Sequence, residues 1–154
     1  MRILVMRHAE KSGDPRDPNL TEAGRARAKA LATFIPKKFG RPDFIFATSR
    51  SEHSDRPRQT VTPLSEAISV EIDTTFSDQD YGALAATLLG ERKFRSKLIV
   101  VCWHHGNIPN LLNALKAVDG QYPDPWNRGV FNLIVELIFN SDPVPVAKQI
   151  TEPF

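Results

Sequence analysis

Cysteine is almost absent from this sequence, and long apolar runs are absent altogether. The one thiol, Cys102, has no partner within the chain, which excludes an internal disulfide framework and points to a reduced, cytoplasmic protein. It lies in Leu98-Ile99-Val100-Val101-Cys102, a run that reads as a buried strand, where a free thiol behaves as a small apolar group. Nothing approaches the roughly 20 apolar residues of a membrane span. The opening run Met1–Met6 is too short for the core of a signal peptide, so neither a targeting segment nor a membrane partner is expected. An excess of one charge is also missing. The 20 Lys and Arg against 18 Asp and Glu leave a net charge of +2, too little to argue for a nucleic-acid partner. Repeats, low-complexity segments and linkers are missing too, so the 154 residues read as a single domain, 1–154. A chain of this size buries roughly two-thirds of its unfolded surface and needs no disulfide or metal staple.

What is present is an alternation of short apolar runs and amphipathic stretches. Residues 2–6, 44–47, 70–72, 98–103 and 130–139 read as strands, the last at or near a sheet edge. Thr21 is a plausible N-cap for a helix whose Ala23, Ala26, Ala30 and Phe34 share a face, and Pro36 is expected to end it. Further helices are expected over 56–67, 83–89 and 108–118, with Pro57 tolerated in a first turn. The tail, with Pro143, Pro145 and Pro153, is expected to wrap the surface. Strands alternating with helices predict an α/β fold, a three-layer α/β/α sandwich with a largely parallel central sheet.

Ligands of open α/β sheets gather beyond the carboxyl ends of the strands. Polar clusters rich in His and Arg follow three of the expected strands: Arg7-His8-Ala9-Glu10-Lys11, the segment 50–58, and His104-His105-Gly106. Their convergence suits an anionic, phosphate-like ligand. An arginine fork binds two phosphate oxygens at once and keeps its charge at neutral pH. A neutral imidazole nitrogen is a competent nucleophile toward phosphorus, and neighbouring arginines disfavour imidazolium. A second His can steady charge that builds on the phosphoryl oxygens.

Four motifs, in order, narrow this further. Leu4-Val5-Met6-Arg7-His8-Ala9-Glu10 resembles the Arg-His-Gly signature of the histidine phosphatase superfamily, with its phosphoglycerate mutase-like fold. Leu20-Thr21-Glu22-Ala23-Gly24, with Ala28 and Leu31, is similar to that family's "LTxxGxxQA" helix start. Arg56-Pro57-Arg58-Gln59-Thr60 resembles its "RAxQT" segment, and Val100 to Gly106 its "vvsHG" strand end. The resemblance implies that His8 is the phosphorylated nucleophile and Arg7 its clamp. It implies a second clamp at Arg56 and a further phosphate contact at His105, with no metal or organic cofactor. The sequence departs from the pattern in places. Ala9 replaces the glycine, Pro57 the alanine, and residues 48–55 exceed the usual "SPL" stretch, so Arg50 or Arg58 compete with Arg56. His104 competes with His105, which is preferred because Gly106 follows it directly. The family's acidic loop motif is missing; Asp78 and Asp80 occupy that region, and Asp80 is taken as the general acid.

The function implied is a metal-independent phosphatase working through a phosphohistidine intermediate. Its substrate is expected to be a phosphorylated small molecule or a phosphoprotein, phosphohistidine included. Alternatives are phosphoglycerate mutase-type transfer, or a phospho-ligand binding module without catalysis. Trp126 and Phe131 read as packing residues, and Glu10 with Lys11 either as a pair or as shapers of substrate access.

Overall fold

The computed structural model describes residues 1–154. Its strands are β1 (Arg2–Arg7), β2 (Phe44–Ala47), β3 (Ile72–Asp73), β4 (Leu98–Trp103), β5 (Leu133–Ile138) and β6 (Val146–Thr151). Its helices are α1 (Glu22–Phe39), α2 (Arg56–Ile68), α3 (Tyr81–Gly90) and α4 (Ile108–Ala114). The strands form one sheet in the order β3-β2-β4-β1-β5-β6. β1, β2, β3 and β4 run parallel, and β5 joins β1 antiparallel with β6 beyond it. No helix is long and apolar enough to cross a membrane.

The central pair β1 and β4 is buried on both faces, which is why each reads as a continuous apolar run. Alternate side chains feed two cores. Leu4, Met6, Val100 and Cys102 meet Leu31 and Ile35 of α1 and Val61 and Leu64 of α2. Ile3, Val5, Ile99 and Val101 meet Leu84 and Leu88 of α3 and Leu111 and Leu112 of α4. The result is the expected three-layer α/β/α sandwich.

Several local expectations need correcting. Pro36 does not end α1. It sits inside the last turn, and the helix runs on to Phe39. Phe39 enters the core shared with α2 and meets Phe34 edge to face at 6.1 Å, burial that offsets the hydrogen bond Pro36 cannot make. The strand expected over 130–139 is shorter, and it lies near the edge as expected, one strand in. The tail supplies the edge strand β6, pairing Leu133↔Thr151 through Ile138↔Val146. Its prolines escape the periodic signal because Pro143, Pro145 and Pro153 all lie outside those six residues.

Thr21 caps α1 as expected, its hydroxyl accepting from Gly24 N–H at 3.1 Å. The same turn carries the loop after β1: Thr21 N–H donates to Glu10 O at 3.0 Å. The helix start lies so close to that loop that a Cβ on Gly24 would stand 2.5 Å from Glu10 O. Gly24→Ala is therefore expected to lower stability by about 1–3 kcal/mol, since backbone must move to admit the methyl. An unchanged urea midpoint in the variant would contradict this packing.

Candidate active site

The carboxyl ends of β1, β2 and β4 are neighbours in the sheet, so the three polar clusters converge. His8 extends β1 by one residue, its N–H donating to Trp103 O at 3.1 Å. The residue is 2% exposed. Nδ1 lies 2.7 Å from Ala9 O. A carbonyl oxygen only accepts, so Nδ1 carries the proton and Nε2 keeps its lone pair. Burial pushes the imidazole down to about 2, and the charges of Arg7, His104 and Arg56 act in the same direction. The ring is neutral at physiological pH.

Two arginines flank it. Arg7 Nη1 donates to the carbonyls of Arg128, at 2.5 Å, and Val130, at 3.4 Å. Its guanidinium lies 3.9 Å above the centre of the Phe131 ring. Burial and the charges of Arg56 and Arg128 lower Arg7 to about 10, still charged at neutral pH. Arg56, the first residue of α2, donates through Nη1 to Asp17 O at 2.7 Å. In both guanidinium groups Nε is buried without a partner. Unmet buried donors of charged groups are costly, and two in one centre describe a receptor for an anion.

The remaining residues of the third motif explain themselves as supports. Gln59 accepts from Leu20 N–H at 2.9 Å and donates to Asn19 Oδ1 at 2.7 Å. Thr60 accepts from Ala9 N–H at 2.9 Å and donates to Arg56 O at 2.8 Å. One turn of α2 thus grips the loops on both sides of the centre. Glu10 does not pair with Lys11. It pairs with Arg27 at 2.9 Å, and Arg27 also binds the buried Glu152 at 2.9 Å.

His8, Arg7 and Arg56 are brought together. Of the two histidines after β4, the one that adjoins His8 is not the one expected. His104 lies against His8, ring centres 5.4 Å apart and edge to face, with Nε2 3.3 Å from Thr48 Oγ1. Burial, then the charge of Arg56, lowers His104 to about 4. His105 is half-buried in the turn leading to α4 and faces an adjoining cleft. His104 directly follows the last residue of β4, so the strand end fixes it; the glycine after His105 is a weaker cue than that distance. Asp80 is not brought to the centre. It is exposed, and its carboxylate accepts from Ser77 N–H at 3.0 Å and Ser77 Oγ at 2.7 Å in a capping box. Asp78 is the more buried of the two, raised by desolvation, with Oδ2 accepting from Asn107 at 3.0 Å. Neither alternative to Arg56 joins the centre: Arg50 is exposed, and Arg58 is paired with the buried Asp55 at 2.9 Å.

Phe131 and Arg128 are the residues sequence reasoning missed. Phe131 is not simple packing, for it supports Arg7 and lies 6.1 Å from the His8 ring. Because β5 runs antiparallel to β1, the loop before it arrives where β1 ends. No local pattern reports that direction. The largest cavity, 660 Å³ between Met1, Leu89, Lys116 and Phe139, lies at the opposite end of β1 and holds no motif residue.

A family model for the histidine phosphatase superfamily, branch 1, matches residues 3–93. The chain belongs to the histidine phosphatase superfamily. The match takes in the first three motifs, and this makes the chain an enzyme of the phosphatase class. Solved structures share its fold at low identity. The protein histidine phosphatase SixA, complexed with tungstate, is 14% identical with a TM-score of 0.75, covering 98% of this chain and 97% of its own. A mycobacterial glucosyl-3-phosphoglycerate phosphatase, complexed with inorganic phosphate, is 15% identical with a TM-score of 0.65, covering 99% and 97%. A phosphoserine phosphatase variant from Entamoeba histolytica, in complex with phosphoserine, is 17% identical with a TM-score of 0.62, covering 95% and 94%. No curated protein sequence matches the chain.

The neutral His8 and the half-buried His104 of this superfamily member have a thermodynamic consequence. Folded-state values of about 2 and 4 lie below the ordinary 6.5. The stability they contribute is complete above 6.5 and is lost as pH falls toward those folded values. His104→Asn is therefore expected to lose less thermal stability than wild type between about pH 7 and pH 5. Glu152, raised to about 7, titrates in both proteins and cancels from the difference. Parallel melting profiles would contradict a neutral His104.

Proposed function

We propose that this chain is a metal-independent phosphatase that works through a phosphorylated His8 and acts on a phosphomonoester or a phosphohistidine-bearing protein. The observation that carries the reading is the pairing of an unprotonated His8 Nε2 with two buried, unpartnered arginine Nε groups. Nε2 attacks phosphorus, the bond to the leaving group breaks, and the leaving group departs with its electron pair. Water then attacks the phosphorylated imidazole, the P–N bond breaks, and the ring recovers its neutral form. Arg7 and Arg56 hold the phosphoryl oxygens throughout. His104, rather than His105, is the second histidine that steadies them. His105 reaches the same ligand from the cleft side.

The proton for the leaving group has no obvious donor. Four carboxylates of the surrounding loops are already engaged, Glu10 with Arg27, Asp17 with Ser12 and Asn19 N–H, Asp55 with Arg58 and Asp80 with Ser77, while Asp78, raised by burial and with Oδ1 unpartnered, makes no hydrogen bond to His8, Arg7 or Arg56. Asp17 and Asp80 are both lowered, mainly by the N–H and O–H groups that bond them. General acid help is typically worth about 10²- to 10⁴-fold, and alkoxide leaving groups need it most. Imidazole and aryl oxide leave without it. The expected result is release of phosphate from a phosphohistidine peptide and from p-nitrophenyl phosphate, in chelator, at rates at least about a hundred-fold above those for an alkyl phosphate. Equal rates for alkyl and aryl esters would require an acid in the centre. A requirement for added metal would remove the mechanism.

Mutase-type transfer is less well supported. It needs a second cationic pocket to retain a bisphosphate, and the adjoining cleft balances Arg128 with Asp124.

A further inference from the structure

Three charged side chains lie together beside the nucleophile loop and have no part in the transfer described above. Arg27 of α1 grips Glu10 with one edge of its fork, Nε donating to Oε1 at 2.9 Å and Nη2 to Oε2 at 3.2 Å. Its remaining nitrogen, Nη1, donates to Glu152 Oε1 at 2.9 Å and to the Phe154 backbone oxygen at 2.8 Å. The Arg27 side chain is 12% exposed and that of Glu152 1%. The Phe154 ring lies over the guanidinium at 5.6 Å and rests edge to face on Phe34 of α1. One buried guanidinium therefore joins the loop after β1 to the chain beyond β6.

Both ends of this bridge reach toward the centre. Glu10 follows Ala9, whose carbonyl receives the Nδ1 proton of His8 at 2.7 Å and so fixes which ring nitrogen keeps its lone pair. The Ala9–Glu10 segment is held at three points: Ala9 N–H by Thr60, Glu10 O by Thr21 N–H, and the Glu10 side chain by Arg27. At the other end Glu152 N–H donates to Asn132 O at 2.8 Å, next to Phe131, over which Arg7 lies.

Stability does not account for the charge at 152. Burial raises the Glu152 carboxyl to about 7 against the pull of Arg27, with Glu10 adding to the rise. Cys102 of β4, which also feels Glu152, is itself raised and stays a neutral thiol. A folded value above the ordinary 4.5 means that the folded chain loses stability as Glu152 ionises. Buried ion pairs in general add little that apolar residues of the same volume would not.

Resting on the phosphatase reading above, we propose that Glu152 is a positioning residue, which through Arg27 and Glu10 fixes the Ala9 carbonyl and with it the attacking nitrogen of His8. The carboxylate pins Nη1, the fork has no freedom left to swing, and Glu10 is kept from drifting toward solvent. When Nε2 bonds to phosphorus the ring gains positive charge, and the carbonyl held against Nδ1–H receives it.

Glu152→Gln keeps the shape of the side chain and removes its charge. For p-nitrophenyl phosphate, kcat is expected to fall about five- to fifty-fold with KM little changed, short of the roughly hundred-fold that a misplacement of about 1 Å costs. The melting temperature at about pH 8 is expected to be no lower than wild type. Long-range proton–nitrogen NMR of the His8 ring is expected to show the Nδ1–H tautomer alone in wild type and a mixture of tautomers in the variant. Glu10→Gln is expected to lower kcat in the same way, and the double variant to be no slower than the slower single one, since both act on one chain of contacts. An unchanged tautomer or an unchanged kcat in Glu152→Gln overturns the proposal. Losses that multiply in the double variant, together with a lower melting temperature, mark a mere anchor for the tail and overturn it too. If wild type releases no phosphate, the phosphatase reading falls, and the ring spectrum decides the link from Glu152 to His8 by itself.

Discussion

His8→Ala is expected to lose phosphate release by roughly 10³-fold or more, with KM little changed. The variant removes the only atom in the centre that combines a free lone pair with two adjoining cation clamps. Arg7, Arg56 and His104 remain, so phosphate still binds, and the split between turnover and affinity separates a lost nucleophile from a collapsed site. Ala9 N–H is held by Thr60 and the His8 backbone by Trp103, not by the imidazole, so the loop keeps its course. A brief reaction quenched at alkaline pH is expected to leave acid-labile phosphate on the wild-type chain and none on His8→Ala. Phosphate labelling of the variant, or turnover within ten-fold of wild type, would remove His8 from the mechanism.

The second large effect belongs to Arg56. Arg56→Ala is expected to reduce kcat/KM by about 10²- to 10³-fold, the usual cost of losing one preorganised donor to a developing charge. Arg56→Lys is expected to restore little. An ammonium is a point charge, whereas Arg56 spends Nη1 on Asp17 O and still presents Nε to the centre. A lysine would have to abandon one of those duties. Arg50→Ala, at an exposed position in the same segment, is expected to leave the rate at its wild-type level. If Arg50 and Arg56 exchanged these outcomes, the clamp would belong to the loop and not to the start of α2.

These residues also show what the sequence discloses and what it withholds. The nucleophile loop, the α1 cap at Thr21 and the central strands are legible because each rests on local chemistry. An apolar run, a hydroxyl before a helix or an arginine beside a histidine carries its meaning within a few positions. Gln59 and Thr60 look like bystanders until α2 is packed, when each is found holding a loop 39 or 51 residues away. The glycine beside His105 does not report the end of β4, which sets His104 against His8. Asp80 stands at a suitable place in its loop, but a short carboxylate three residues after Ser77 finds that serine first, and a capping box results. Phe131 and Arg128 reach the centre only because β5 reverses direction, and a strand's direction is settled by its partner.

That reversal also sets the timing of assembly while the chain is being made. Arg7 must wait for carbonyls 121 and 123 positions further along the chain before its guanidinium is held. At about 5–20 residues per second, the delay is on the order of ten seconds. Through that interval the nucleophile exists without the hold on Arg7; β4 is made only late in it, and from then until β5 follows, β1 has β4 on one side and an open edge on the other. Docking of β5 closes that edge and fixes Arg7 in the same event, so competence for phosphate arrives with the completed sheet and not with the appearance of His8.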